Sequence, residues 1–285
     1  MIQANDKDEL RVVMRGYRSN SETTAFVPTL GNLHDGHLSL VRKAKQVADR
    51  VVVSIFINPT QFDKAEDLAA YPRTLEADLV LLKKENVDLV FLPQVDEMYP
   101  IGSATRVEID GISDILEGDS RPGHFSGVAT IVAKLFNLVQ PDISVFGKKD
   151  YQQLMLIQRM VADLDFGIEI IEAATARENN GLAMSSRNNY LNDEQRNKTA
   201  PNLYAEMINI RDAILGGETN YLGLQATSIN NLNQLGFNAD YIEIRNANDL
   251  SVAEPNHKEL VILVSAWLGK ARLIDNITLN IGEVS

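Results

Sequence analysis

The sequence predicts an α/β protein: a Rossmann-like, doubly wound parallel sheet over residues 1–174, followed by a smaller α+β C-terminal domain over residues 175–285. In the first part, short and continuously apolar segments alternate with segments of helical period, the pattern of parallel strands covered on both faces. After about residue 174 the order changes to helices followed by strands, the pattern of a small α+β domain. No repeat, low-complexity tract or long flexible linker interrupts the chain.

The elements follow in order. TAFVPT (24–29) reads as a strand and 38–48 as a helix. VVVSIFI (51–57) is rich in β-branched residues without polar alternation, which suits a buried strand. Residues 74–85 are helical and DLVFLP (88–93) is a strand. A helix over 125–139, a short strand ISVF (143–146), a helix over 151–163 and a strand GIEIIEA (167–173) complete the sheet. Beyond it, 193–215 reads as one long helix and 218–235 as another, with strands near 240–245, 260–267 and 271–280. In a doubly wound sheet, ligands bind at the carboxyl ends of the strands, so the segments that follow each strand carry the functional argument.

Composition narrows the chemistry. The 285 residues include 27 Lys+Arg, 39 Asp+Glu and no Cys, a formal charge of −12. Without Cys there is no disulfide scaffold, iron–sulfur cluster, thiolate zinc site or Cys nucleophile. The acidic balance argues against non-specific nucleic-acid binding, which needs a basic surface. The first twenty residues hold no apolar run of the signal-peptide kind, and the longest apolar runs are too short to span a bilayer. A cytoplasmic location is the expectation.

PTLGNLHDGH (28–37) lies between a strand and a helix. His34 and His37 flank a turn containing Gly36, and His37 falls in the first helical turn, where N–H groups and the dipole favour an anion. Two imidazoles there suit a polyphosphate. A metal reading is weaker, because no third ligand stands nearby. In SIFINPTQF (54–62), Asn58 opens an Asn-Pro turn, and Gln61 offers an amide for a hydroxyl or carboxylate. RPGHFSGV (121–128) brings Arg121 and His124 ahead of a helix, with Ser126 as a candidate cap, and reads as a supporting segment. In FGKKDYQQ (146–153), Lys149 supplies positive charge at the sheet edge and Gln153 faces the same end. ARENNGLAMSSRNNYL (176–191) presents two hydroxyls and a guanidinium, which suit phosphate oxygens. The fourth histidine, His257 in PNHKEL, reads as a surface loop residue, and LMLIQRMVADL (154–164) as core.

These segments, together with YPRTLEADL (71–79), stand in the order and spacing of the pantothenate synthetase (pantoate–β-alanine ligase) family, which the chain closely resembles over residues 28–191. The HxGH turn with a later MSSR-like loop also marks the wider nucleotidyltransferase superfamily. The resemblance implies an ATP-dependent ligase of pantothenate biosynthesis. Pantoate attacks the α-phosphorus of ATP, pyrophosphate leaves, and β-alanine then attacks the bound pantoyl-adenylate. It further implies Mg²⁺, a cytoplasmic homodimer and a C-terminal lid domain that closes over the site, while the sequence itself shows no self-contained site for the metal.

Carried over by position, His34, His37, Lys149 and Arg187 would be catalytic, with His37 at the position usually taken as proton donor. Leu30, Gly31, Asn32, Leu33, His34, Asp35, Gly36 and His37 would line the ATP site, with Gly147, Lys148, Lys149, Asp150 and Ala176. Met184, Ser185, Ser186 and Arg187 would close over the phosphates. Gln61, Gln153 and Asn58 would meet the pantoate and β-alanine substrates. Leu30 stands where the family usually has Met, a swap of similar volume. The alternative is a nucleotidyltransferase acting on another small carboxylate or phosphate substrate.

Overall fold

The structure is a computed structural model and describes residues 1–283. The chain divides into two compact units, one of Met1–Lys148 with Gln152–Ala174, the other of Lys149–Tyr151 with the chain from Thr175 on. Lys149–Tyr151, expected with the sheet, therefore group with the second unit.

The first unit is built on six parallel strands: β1 (Ile2–Ala4), β2 (Thr24–Thr29), β3 (Arg50–Ile55), β4 (Leu89–Phe91), β5 (Ile143–Gly147) and β6 (Glu169–Ala173). Their order across the sheet is β1-β4-β3-β2-β5-β6. The connecting helices are α1 (Lys7–Ser19), α2 (Asp35–Val47), α3 (Ala65–Ala70), α4 (Leu75–Lys84), α5 (Val95–Met98), α6 (Glu117–Ser120), α7 (His124–Val139) and α8 (Tyr151–Asp163).

Alternation along the strands explains the continuous apolar runs. Phe26, Val52, Leu89 and Phe91 enter one core with Leu10 and Met14 of α1, Phe136 of α7 and Ile157 of α8. Val27, Val51, Val53 and Val90 enter the opposite core with Leu38, Val41 and Ala44 of α2 and Leu82 of α4. The inner strands are largely apolar because both of their faces are covered, whereas β1 exposes Ile2 and Gln3 and the edge strand β6 exposes Glu169 and Glu172. From β2 the chain passes to β3 on one side, and it returns after β4 to lay β5 on the other side of β2. That reversal is a topological switch point, where an α/β sheet opens a crevice for ligands.

The N-terminal segment holds more structure than its polar sequence suggests. Asp6 caps α1 by accepting the N–H groups of Asp8 and Glu9 at 2.9 and 2.8 Å. Only Leu10, Met14 and Tyr17 of its thirteen residues are buried, a narrow stripe at helical spacing. Helix α7 begins at His124, after a left-handed Gly123, rather than at a Ser126 cap.

In the second unit, α9 (Asn202–Leu215) and α10 (Tyr221–Gln234) pack on the antiparallel strands β7 (Asn238–Asn246), β8 (Glu259–Leu268) and β9 (Ala271–Asn280). The single helix expected over 193–215 is broken. A wide turn, Gln195–Thr199, closes with the Ala200 N–H on the Gln195 carbonyl at 2.7 Å, and α9 starts only after Pro201. Proline lacks the N–H that would continue the ladder. The Asn202 side-chain amide donates instead to the carbonyls of Lys198 and Thr199, both at 2.9 Å.

Candidate active site

The segments singled out in the sequence follow β2, β3, β5 and β6, at the carboxyl edge of the sheet, and those after β2 and β5 flank the switch point. His34 is the N-cap of α2 in extended conformation. Its Nδ1 accepts the Gly36 N–H at 3.2 Å, and the His34 N–H donates to Nδ1 of His37 at 3.3 Å. This is a capping box built from two histidines. A ring nitrogen that accepts carries no proton, so in the neutral form each imidazole holds its proton on Nε2. The ring centroids lie 4.1 Å apart. The turn thus fixes two Nε2–H donors side by side at a helix N-terminus.

The rest of the turn divides its groups unevenly. The N–H groups of Asn32 and Leu33 both end on the buried carboxylate of Asp78, and the Leu33 side chain packs in the core beneath α2. These two N–H groups are thus spent on holding the turn itself. Asp35 faces solvent and pairs with Arg42 at 2.9 Å. Gly31 sits at φ +83°, where a Cβ would lie 3.0 Å from Cγ2 of Ile55.

After β3, Asn58 caps the short turn Pro59–Gln61. It is 0% exposed. Its Nδ2 donates to Oε1 of Gln61 at 3.0 Å and to the Gly127 carbonyl at 3.1 Å. Its Oδ1 accepts from the hydroxyls of Thr60 at 2.9 Å and Tyr99 at 2.8 Å. Burial raises the Tyr99 pKa, which keeps the phenol protonated as a donor. The Asn58 amide thus orients Gln61, its neighbour in the expected substrate site. His124 supports the same residue. Its Nδ1 lies 2.7 Å from the Gln61 carbonyl, which can only accept, so Nδ1 carries the proton and Nε2 accepts from Arg121 at 3.2 Å. Gly127 lets α7 approach this turn, because a Cβ there would lie 2.4 Å from the Thr60 carbonyl oxygen.

At the end of β5, Lys148 pairs with Glu172 of β6 at 2.7 Å. Burial pushes the Glu172 carboxyl up, and its bonds to Lys148 and Gln158 bring it below the usual carboxylate range. Gly147 is half-buried, and its Cβ position meets only Leu40, at 3.6 Å. Gln153 is half-buried in the first turn of α8, whereas its neighbour Gln152 is buried and bonded to the loop carbonyls of Ile112 and Ile115.

In the second unit, the Lys149 carbonyl is held by Nδ2 of Asn276 on β9 at 2.9 Å, and its ammonium lies 3.9 Å from exposed Asp150. The adjacent Asp275 takes both Nη1 and Nη2 of Arg177, at 2.5 and 3.0 Å. Burial pushes the Asp275 carboxyl up, and Arg177 and the Asn276 N–H offset this only in part. The Arg177 guanidinium also stacks on the Tyr204 ring, 3.7 Å from its centroid. Arg177 opens a small hairpin that pairs with Ala183, and the Met184 N–H donates to the Ala176 carbonyl at 2.9 Å. Ser185 then caps the turn Ser186–Tyr190, accepting the Arg187 N–H at 3.3 Å. Asn188 closes the turn through Nδ2 on Glu178 and on the Ala183 carbonyl, both at 3.0 Å. Asp78, Gly127, Arg177, Asp275 and Asn276 also shape these segments; the first three lie in segments the sequence singles out without a role of their own, and Asp275 and Asn276 lie in an ordinary strand.

Among the described residues, no group of three or more His, Asp or Glu could hold a metal ion, and no helix is long and apolar enough to cross a membrane. A family model for pantoate-β-alanine ligase matches residues 3–278. The crystal structure of pantothenate synthetase from Thermus thermophilus is 43% identical, with a TM-score of 0.90, over 97% of this chain and 99% of that one. The pantoate-β-alanine ligase of Francisella tularensis, crystallised with β,γ-ATP and β-alanine, is 36% identical, with a TM-score of 0.79 and 97% coverage of both chains. With the histidine turn at the switch point and the match running almost end to end, the chain belongs to the pantoate-β-alanine ligase family.

Proposed function

We propose that the two Nε2–H donors of His34 and His37 bind the ATP phosphates and carry the first half of the family reaction. That reaction is the ATP-dependent condensation of pantoate with β-alanine to pantothenate, AMP and pyrophosphate through a pantoyl-adenylate. The single observation behind this reading is the histidine capping box, which sets both rings as donors before any ligand arrives.

The pantoate carboxylate attacks the α-phosphorus, and negative charge moves onto the departing pyrophosphate. Preorganised donors aimed at that charge are each worth ~10²–10³ in rate. His37 serves as a hydrogen-bond donor through Nε2–H, so its ring need not change charge. Lys149 and Arg187 supply cationic charge to the phosphates, and Ser185 and Ser186 supply hydroxyls. Gln61, oriented by Asn58, holds pantoate together with Gln153. The β-alanine amine then attacks the acyl carbon and AMP leaves. ATP itself activates the acyl group, so no side-chain nucleophile is required. A mixed anhydride must be shielded from water, and the lid role of the C-terminal unit belongs to this reading. No acidic cage is available for Mg²⁺ among the described residues. An ion carried on the nucleotide phosphates with few protein ligands fits this donor set. The homodimer and the cytoplasmic location are part of the same proposal, and sedimentation at the mass of two chains is the expected outcome for the first.

The test supplies Mg-ATP, pantoate and β-alanine and follows AMP and pyrophosphate with each omitted in turn. AMP requiring all three, with a stoichiometric burst of pyrophosphate from ATP and pantoate alone, is the expected result. His37→Ala should lower the burst rate ~10²–10³-fold while the protein stays folded. A folded variant with near-normal pyrophosphate release removes the histidine from its role.

A further inference from the structure

We propose that Asp78 is a positioning residue for the phosphate-binding turn, its carboxylate fixing the backbone of Asn32 and Leu33 and, through it, the two histidines that follow. The inference rests on the reading of His34 and His37 as ATP-binding residues.

Asp78 lies in α4 and is 2% exposed. Its Oδ2 accepts the Asn32 N–H at 2.9 Å and its Oδ1 accepts the Leu33 N–H at 2.8 Å. The Thr74 hydroxyl donates to Oδ2 at 3.1 Å. A carboxylate is buried at such a site only where donors replace its water, and three do so here.

The backbone that it holds is unusual. Gly31 at φ +83° and Asn32 at φ +52° are consecutive left-handed residues, and Asn32 is not a glycine. Strain of that kind persists only where surrounding bonds over-determine the conformation. The Asn32 side chain does not supply them, because its Nδ2 is buried without a hydrogen-bond partner among the described residues. The carboxylate also packs against the bare Cα of Gly31, where a Cβ would lie 3.1 Å from Oδ2. Immediately after Leu33 comes His34, whose N–H orients the His37 ring and whose own ring caps α2. A rotated peptide at Asn32–Leu33 therefore swings both Nε2–H donors.

The variant Asp78→Asn keeps the shape and replaces one accepting oxygen by a donor that faces an N–H. In the full chain, kcat/KM for ATP should fall on the order of 10²-fold, the cost of misplacing a binding group by about 1 Å. KM for β-alanine should stay within about twofold, and the amides of Asn32 and Leu33 should exchange with solvent faster. A carboxylate that only fastens α4 would lower the melting temperature and leave kcat/KM for ATP within twofold; that result overturns the proposal. If Asp78→Asn does not fold, Thr74→Val removes one donor from the same carboxylate. A several-fold loss in kcat/KM for ATP that Thr74→Ser restores is then expected, and wild-type values for Thr74→Val overturn the proposal. His37→Ala run in parallel separates the two readings. Full activity in His37→Ala removes the ATP-site reading itself. Loss there, with wild-type values for Asp78→Asn, removes only the role of Asp78.

Discussion

The turn after β2 is tied down through its main chain: two peptide N–H groups end on one buried carboxylate, and the histidines close on each other. The segments that carry Lys149 and Arg187 are tied down chiefly by side chains bonded to side chains, by the Arg177–Asp275 pair and by Glu178 with Asn188 and Arg196, with Asn276 on the Lys149 carbonyl as the main-chain exception. Main-chain fastening fixes peptide orientation, which suits a turn whose donors must be set before the ligand binds. Side-chain fastening fixes where a segment sits and leaves its tip to adjust, which suits the phosphate-binding role proposed for Lys149 and Arg187. The cost of failure differs too. A missing main-chain acceptor rotates a peptide, whereas a missing ion-pair partner strands a charge.

The largest expected effect comes from stranding that charge. Arg177→Leu should cost about 3–5 kcal/mol of the second unit's stability, read by denaturant unfolding, because Asp275 is left buried without its partner. The sign of the pH dependence follows from the raised folded pKa of Asp275. Without Arg177 it rises further, folding takes up a proton, and the deficit should shrink as pH falls toward the unfolded carboxylate value. A deficit that is independent of pH would show that the ion pair is not the fastening element.

Next is Gly127→Ala, on the main-chain side of the comparison. The added methyl would meet the Thr60 carbonyl, which belongs to the backbone and cannot swing away. A loss of about 1–3 kcal/mol is expected, and kcat/KM for pantoate should drop more than kcat/KM for ATP, because the displaced turn carries Gln61. The smallest effect is expected from Ser185→Ala, which removes a cap at 3.3 Å from a short turn and should cost no more than about 1 kcal/mol in thermal unfolding. A larger loss would mean that Ser185 fastens its segment as firmly as Asp78 fastens the histidine turn.

What was legible in the sequence was local. Strands such as 51–57 announce themselves because both faces are buried, and the histidine turn because strand, turn and helix follow one another without a gap. The one-sided stripe of α1 and the three-residue β1 offer too few periods to be read. The burial of Asn58 was not legible, because an exposed turn and a buried polar hub have the same sequence, and only the partners contributed by Tyr99 and Gly127 tell them apart. Asp78, Asp275 and Asn276 act on segments 46, 98 and 127 residues away, so no window along the chain brings them together with what they hold.

The strand order also bears on how the chain acquires its shape during synthesis. Thr24 pairs with Arg50, so β2 and β3 can associate as soon as β3 has emerged. Ile2 pairs with Leu89, and β1 stands at the sheet's edge with β4 as its neighbour. At roughly 5–20 residues per second, β1 waits several seconds after its own synthesis for β4 to follow. β1 thus has to stay unpaired past the emergence of β2 and β3, and its place at the sheet's edge lets it join a sheet whose middle needs only later strands.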